Sequence, residues 1–209
     1  MGSPPLPRSI AGLSVPGDDV SQSSWRWANR TLPRYLLTHS VRSYCWGAAI
    51  AAKERRMFDD RILWSAALFH DVGLTTTASN TMCFEVQGAQ LARETLEGFG
   101  MEAESADRAA IAIILHMQPG VTLDDGVESV LLDRATAVDV RGVEVELVDG
   151  VREDVMRAYP RGAFDRHFVR ALKREVARRR DCQSARLLGD GDLLDWMARS
   201  PWAVEAAPA

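Results

Sequence analysis

The chain of 209 residues lacks the features that would place it in a membrane, outside the cell or on nucleic acid. It has no run of about 18 apolar residues, so no membrane-spanning helix is expected. Its N-terminus contains no continuous apolar stretch of the kind found in secretory signals, so export is not expected. Its net charge of −4 argues against general nucleic-acid binding, which usually requires a basic surface. We therefore expect a cytoplasmic protein that binds neither a membrane nor nucleic acid.

Cysteines are also few, and they lie far apart. Cys45, Cys83 and Cys182 form no CxxC pair, so neither a disulfide framework nor a zinc knuckle is predicted. Three free thiols fit the reducing conditions of the cytoplasm. We expect Cys45 and Cys83 to act as small buried apolar side chains.

Apolar residues recur along most of the chain at the three- and four-residue spacing that is typical of helices. Glycines and prolines separate eight predicted helices, over residues 34–56, 59–72, 83–99, 103–117, 126–140, 151–157, 161–180 and 190–199. No convincing strand pattern is present, although VEVELV at 143–148 is ambiguous. Residues 1–20 are rich in proline, glycine and serine and are predicted to form a flexible segment. The sequence thus predicts one all-α domain over residues 21–209.

An adjacent histidine and aspartate, His70 and Asp71, follow a largely apolar run. That run ends at Gly73, a residue type that commonly closes a helix. Polar groups in such a position need a partner, because burying them without one is unfavourable. A metal ion is one such partner, since histidine and aspartate bind zinc, iron and manganese. The pair alone is also compatible with a helix-end histidine followed by an aspartate cap.

Two further side chains of the same ligand types lie in apolar, helix-compatible stretches. His39 lies in LPRYLLTHSVRSYCWGAAI, and Asp139 lies in LLDRATAVDVRG. Three predicted helices would then carry His39, the pair His70–Asp71, and Asp139, in that order. Four such ligands can hold one divalent ion and still leave coordination positions open for water.

This ordered set resembles the motif of the HD-domain superfamily of metal-dependent enzymes. Six segments narrow the resemblance to its cyanamide hydratase-like branch: LPRYLLTHSVRSYCWG, ALFHDVGLT, FEVQGAQLA, AIILHMQ, RATAVDVRG and YPRGAFDRHF. The resemblance implies a helical bundle with a mononuclear metal site between helices, in which His39, His70, Asp71 and Asp139 are the ligands. The resemblance implies an enzyme that adds metal-activated water to cyanamide or to a related nitrile or C=N compound. Such an enzyme would be either a hydratase, which belongs to the lyases, or a hydrolase. The expected cofactor is one divalent ion, with zinc ahead of iron or manganese.

Side chains around these ligands supply the other predicted site residues. Asp71 could accept a proton as well as bind the ion, and His116, which ends the apolar run AIAIILH, could relay protons. The residues predicted to bind substrate are Arg42, Ser43, Trp46 and Glu85. Structural roles stay open for several of these: His116 could bond free helix-end carbonyls, and Trp46 could belong to the core. Glu85 could be a helix N-terminal acid or could orient a ligand.

Two other functions stay open on the sequence alone. A nucleotide phosphohydrolase requires cationic groups on the phosphate, for which Arg42 and Arg26 are candidates. A degenerate HD fold used only for binding is the other. The diiron oxygenases of the superfamily use two further histidines between the HD pair and the last aspartate. In this chain only His116 lies in that interval. The sequence therefore favours a site for one metal ion and disfavours oxygenase chemistry. We expect a small-molecule substrate, and the sequence leaves homo-oligomer formation open.

Overall fold

The computed structural model describes residues 4–75, 82–189 and 192–203, and it is almost entirely helical. Ten α-helices lie within these residues: α1 Asp19–Thr31, α2 Arg34–Lys53, α3 Asp60–Phe69, α4 Phe84–Gly98, α5 Ala103–Leu115, α6 Val127–Arg141, α7 Arg152–Ala158, α8 Phe164–Arg178, α9 Gln183–Gly189 and α10 Asp192–Arg199. Short 3-10 turns cover Val72–Thr75, Leu123–Asp125, Val145–Leu147 and Pro201–Ala203. The only strands in the described part are β1 Ser9–Ile10 and β2 Leu13–Ser14, which pair antiparallel. The predicted all-α class is confirmed.

All eight predicted helices are present, as α2 to α8 and α10, and the ambiguous segment 143–148 contains a 3-10 turn. Two helices, α1 and α9, were not expected. α1 is rich in serine, and it begins where the Asp18 carboxylate accepts hydrogen bonds from the backbone nitrogens of Val20 and Ser21. Only three apolar side chains of α1 are buried, so its periodic signal in the sequence is weak.

The centre of the fold is formed by α2 and the end of α3, which hold the polar residues predicted for the site. Every residue from Leu36 to Ala51 is buried, and so is every residue from Ile62 to Gly73. A helix that is covered on all sides lies inside a fold and not on its surface. α2 packs against α3, α6 and α8, so side chains from several helices converge on its middle. None of the helices in the described ranges combines the length and apolarity needed to cross a membrane.

Gly73 is required by a close contact next to the predicted site. The sequence predicts that this residue ends a helix, but α3 already ends at Phe69 and a 3-10 turn follows. A side chain at Gly73 would instead overlap the backbone carbonyl of Phe84 at the start of α4. The turn that carries Asp71 is therefore packed directly against α4.

The end of α6 anchors the C-terminal part of the described chain. Gly142 ends this helix in the left-handed conformation, with φ of +71°, which favours glycine. A side chain at Gly142 would also collide with Pro201. Next to it, Trp202 donates a hydrogen bond from Nε1 to the carbonyl oxygen of Val138 at 2.7 Å. The last described turn is thus fixed on the helix that carries Asp139.

Residues 4–20 lie against the helical body. Ile10 and Val15 are buried, and the Tyr44 hydroxyl donates to the carbonyl oxygen of Ser14 at 2.8 Å. Trp25 donates from Nε1 to a carbonyl oxygen of the same segment at 2.9 Å. The expected flexibility of residues 1–20, and the division between this segment and one domain over residues 21–209, stay predictions.

A disulfide bond joins Cys83 and Cys182, whose Cα atoms lie 5.6 Å apart although 99 residues separate them in sequence. The prediction of three free thiols is therefore wrong for this pair. Cys83 immediately precedes α4 and Cys182 immediately precedes α9, and only the fold brings these two helix starts together. Cys45 is free and buried, as expected, and burial raises the pKa of its thiol to about 12.

Candidate metal centre

Three buried side chains meet where α2 packs against the end of α3. His39 lies in α2, His70 is the C-cap residue of α3, and Asp71 follows it. His39 Nε2 lies 3.0 Å from His70 Nε2 and 3.5 Å from Asp71 Oδ2. His70 Nε2 lies 3.3 Å from the same oxygen, and all three residues are at most 1% exposed. Within the described residues, this His–His–Asp cluster is the one group whose ligand atoms all lie close enough together to hold a metal ion.

The second ring nitrogen of each histidine in the cluster is held by an oxygen. His39 Nδ1 lies 2.6 Å from Asp139 Oδ2, and His70 Nδ1 lies 2.8 Å from the carbonyl oxygen of Ala67. Because an ionised carboxylate or a carbonyl oxygen can only accept, each Nδ1 donates. In a neutral imidazole, Nε2 then carries the lone pair. Both histidines therefore present a metal-binding nitrogen to the cluster.

The cluster fits a divalent metal ion. The Nε2 atoms of two histidines face each other at 3.0 Å, and neither oxygen of the buried Asp71 carboxylate has a hydrogen-bond partner in the described residues when these rings are neutral. Buried polar atoms without a partner are unusual in folded proteins. Zinc–ligand bonds of about 2.0–2.2 Å place neighbouring ligand atoms about 2.8–3.6 Å apart at octahedral or tetrahedral angles. The separations of 3.0, 3.3 and 3.5 Å in the cluster lie within this range.

His116, the C-cap residue of α5, lies beside the cluster. Its Nδ1 lies 2.6 Å from the carbonyl oxygen of Ile113, and its Nε2 lies 4.0 Å from Asp71 Oδ1. Burial and the nearby charge of His70 lower the pKa of His116 to about 4, so this ring is neutral near pH 7. A helix-end carbonyl thus orients His116, as predicted for a structural role of this histidine. Its Nε2 can still accept a proton near Asp71.

Asp139, whose role as the fourth ligand stays a prediction, lies on the side of His39 away from the cluster. Its carboxylate accepts hydrogen bonds from His39 Nδ1, from Arg42 at 2.7 and 2.8 Å, and from Trp46 Nε1 at 2.8 Å. These donors occupy both carboxylate oxygens and leave Asp139 on the ring nitrogen opposite the cluster. A carboxylate in this position fixes the tautomer and orientation of a metal-binding histidine and makes its other nitrogen more basic.

Neighbouring charges set the protonation of these residues. Burial would raise the pKa of Asp71, but the three adjacent histidines, His70 foremost, lower it to about 2. Burial would also raise the pKa of Asp139, but Arg42 and His39 hold it well below its usual range. Burial lowers the pKa of His39 despite Asp139. Burial also acts to lower the pKa of His70, but the charge and hydrogen bond of Asp71, the Ala67 carbonyl and the charge of Asp139 together raise it. Ionised carboxylates beside a neutral His39 are the forms that bind a cation.

A cavity of about 340 Å³ opens beside the cluster. His39, His70, Asp71 and His116 all lie on its wall. Five residues of α6 contribute to the wall: Asp133, Thr136, Ala137, Val140 and Arg141. Apolar side chains of α8, α9 and α10 complete it: Phe168, Leu172, Leu187, Leu193 and Trp196. The helical spacing of the α6 residues is visible in the sequence, but spacing alone does not show whether a helix face meets a core or a cavity.

The four residues predicted to bind substrate are not among those that line this cavity. Arg42 and Trp46 share a helix face with His39, but α6 covers that face and its Asp139 accepts their hydrogen bonds. Ser43 is buried, and its hydroxyl has no hydrogen-bond partner in the described residues. Glu85 is 3% exposed in the first turn of α4, and burial raises the pKa of its carboxyl group.

Comparison with protein families identifies one to which the chain is similar. A protein-family model described as HD domain matches residues 36–150, which is more than half of the chain. The matched segment begins in α2 and contains the cluster, His116 and Asp139, whereas α7 to α10 lie outside it. A search of curated proteins found no match.

Proposed function

The chain belongs to the HD domain family, and we propose that it is a metal-dependent enzyme that adds water to a small-molecule electrophile. HD domains bind divalent metals and are generally metal-dependent hydrolases. The observation that carries the proposal is the buried Asp71 carboxylate, whose Oδ2 lies 3.3 Å from His70 Nε2 and 3.5 Å from His39 Nε2. When both rings are neutral, this carboxylate has no hydrogen-bond partner in the described residues. Burying such an anion is unfavourable unless a cation or donor meets it.

The cluster residues, Asp139 and His116 have different roles in the proposed reaction. His39, His70 and Asp71 would hold the ion, and three protein ligands with an open position are typical of catalytic zinc, which we expect ahead of iron or manganese. When bound, such an ion lowers the pKa of coordinated water and polarises an electrophile. Asp139 keeps His39 in the tautomer that binds metal. His116 accepts a proton at Nε2 from a molecule held near Asp71 Oδ1, since its ring is neutral.

Our finer proposal is a hydratase that acts on cyanamide or on a related nitrile or C=N compound. Its support is the resemblance of the six segments that contain these residues, together with a site that needs only one metal. Addition of water to cyanamide gives urea, so all atoms of both reactants stay in the product. Such a reaction expels no charged leaving group and requires no cationic group to stabilise one.

The test is a metal analysis followed by an activity assay. Protein purified without chelators should contain about one equivalent of zinc, iron or manganese, and His70→Ala should contain none. His167→Ala is the matched control, because this histidine stacks on Tyr35, with ring centroids 5.2 Å apart, and is not part of the cluster. Wild-type protein incubated with cyanamide should form urea. Protein that neither contains nor takes up any of these metals would contradict the proposal, whereas bound metal without urea would remove only cyanamide as a substrate.

The phosphohydrolase alternative has less support from the cavity. Neither candidate arginine lines the cavity, since Arg42 is buried against Asp139 and Arg26 donates to Ser23 at 2.9 Å. Arg141 does line it, but its guanidinium lies over the Trp196 ring, and the charge of the nearby Asp133 disfavours a phosphate there. Phosphate release from a panel of nucleoside monophosphates would reverse this preference. The non-catalytic alternative predicts no turnover and no bound metal, which the same metal analysis tests.

We further propose a small-molecule substrate, with no nucleic acid or membrane as a partner. A cytoplasmic location and homo-oligomer formation stay predictions. The Cys83–Cys182 disulfide removes the argument for the cytoplasm that rested on free thiols.

A further inference from the structure

The cavity beside the cluster is larger than cyanamide requires. Its volume of about 340 Å³ lies in the range of roughly 300–1,000 Å³ that is typical of pockets for drug-sized ligands. Cyanamide has only a few non-hydrogen atoms and would leave most of this space to water. The size of the cavity therefore points to a longer molecule.

Most of the cavity wall away from the cluster is apolar. Phe168, Leu172, Leu187 and Leu193 contribute side chains from three helices. Trp196 is 39% exposed on the same wall and can cover a ligand from the solvent side. A wall of this composition favours a ligand with an apolar body, because removing apolar surfaces of the wall and the ligand from water is favourable.

One carboxylate interrupts the apolar wall. Asp133 lies in α6, and its carboxylate makes no hydrogen bond or ion pair with any residue in the described ranges. Arg141, which also lines the cavity, and Arg134 act on this carboxylate through their charge, but neither forms an ion pair with it. Arg134 donates to Glu54 at 2.7 Å, and the guanidinium of Arg141 lies over the Trp196 ring, 5.0 Å from its centroid. Burial raises the pKa of Asp133 to about 6, so the group is still mostly ionised at neutral pH. An anion in such a place is stabilised by a cationic or N–H group of a ligand.

The stretch of α6 that borders the cavity indicates the length of a ligand that fills it. Asp133 and Val140, seven residues apart on this helix, both line the cavity. A rise of about 1.5 Å per residue makes this stretch about 10 Å long. Cyanamide cannot span this length, whereas a single aromatic ring with a substituent at each end can.

We propose that the substrate of this site is a mostly apolar molecule with a cationic nitrogen group, an amine, amidine or guanidine, that pairs with Asp133 while its electrophilic carbon lies at the His–His–Asp cluster. This inference rests on the proposed function for the reaction but not for the ion pair. For a nitrile, both π bonds of the C≡N group and both O–H bonds of water break, a C=O double bond forms at the former nitrile carbon, and both hydrogens go to the nitrogen to give an amide. No oxidant or reductant takes part.

The experiment compares two probes of equal size. In 4-(aminomethyl)benzonitrile a cationic nitrogen stands opposite the nitrile, and in 4-(hydroxymethyl)benzonitrile a neutral hydroxyl replaces it. Dissociation constants are measured by calorimetry on the full chain, both metal-loaded and chelator-treated. Wild-type protein should bind the amine about tenfold more tightly than the alcohol, a preference expected of one charged hydrogen bond.

The variants Asp133→Asn and Asp124→Asn separate the ion pair from general charge. Both remove one negative charge, but Asp124 is exposed on a short turn and is not a cavity residue. Asp133→Asn should abolish the preference for the amine with its metal content and its affinity for the alcohol kept, whereas Asp124→Asn should retain it.

Three outcomes overturn the inference: an equal affinity for both probes in wild type, a preference that survives in Asp133→Asn, or no binding of either probe below roughly 10 mM. If the protein binds no metal but still prefers the amine probe, the result counts against the proposed function alone. The chelator-treated protein measures the ion pair with Asp133 in the absence of metal.

Discussion

Replacing Asp139 by asparagine should destabilise the protein even when no metal is bound. The Asp139 carboxylate accepts two hydrogen bonds from Arg42, which is fully buried, and one each from His39 and Trp46. An asparagine offers a single acceptor oxygen and places an N–H group where the second oxygen accepted. The buried guanidinium would then lose its counter-charge and at least one donor would face another donor.

The size of the effect follows from these contacts. Breaking a buried ion pair by removing one partner typically lowers the unfolding free energy by about 3–5 kcal/mol. Two buried donors left without an acceptor give a similar figure, at about 1–3 kcal/mol each. Since a domain of this kind is stable by about 5–15 kcal/mol, we expect Asp139→Asn to lose a large share of its stability.

Urea unfolding of chelator-treated protein measures this loss. Asp71→Asn is the matched control, because the Asp71 carboxylate has no hydrogen-bond partner in the described residues and should be replaced at a smaller loss of stability. In the metal-binding assay the order reverses: Asp71→Asn should lose the metal, while Asp139→Asn should weaken metal affinity by about 10–100-fold. A loss below about 1 kcal/mol for metal-free Asp139→Asn would refute the role of Asp139 as the counter-charge of Arg42.

Three further results are expected. His70→Ala should lose both metal and activity with the fold kept, whereas His116→Ala should lower the rate with metal retained; equal metal loss in both variants would make His116 a ligand. Reduction of the Cys83–Cys182 disulfide, or its replacement by serines, should lower the unfolding free energy by about 4–5 kcal/mol, as closure of a loop of this length predicts; unchanged urea midpoints with and without reductant would contradict this. For His116, the folded-state pKa of about 4 lies below the ordinary 6.5, so the unfolded chain alone gains a proton between these values and stability falls as pH falls through this window. The unfolding free energy of the metal-free protein should drop by roughly 3 kcal/mol from about pH 6.5 to 4, and His116→Gln, measured at the same pH values, should flatten that dependence.

The helices that carry the site were predictable because their signals are local. The buried faces of α2 and α3 show in the spacing of their apolar residues, and the ligand-type side chains His39, His70 and Asp71 interrupt those patterns. The sequence did not predict α1, because its many serines weaken the apolar periodicity and its start depends on a hydrogen bond to the Asp18 side chain.

The features that the sequence did not predict depend on contacts between distant segments. Asp139 was recognised as a site residue, but whether it binds an ion or orients His39 depends on which side of the ring it approaches. Cys83 and Cys182 pair through the approach of two helix starts, which spacing in the sequence does not encode. Asp133 became a candidate only when its face of α6 was seen to border a cavity and not the core.

The segment that carries the family signature is shorter than the unit that builds the site. The family match ends at residue 150, yet the Phe164 ring stacks on His39 with centroids 4.7 Å apart, and Arg161 donates to the backbone carbonyl of Asp139. Trp202 bonds α6 from the last described turn. A recombinant fragment trimmed to the matched residues would therefore keep every expected ligand but lose the aromatic support behind one of them. Minimal versions of this protein should extend through residue 203.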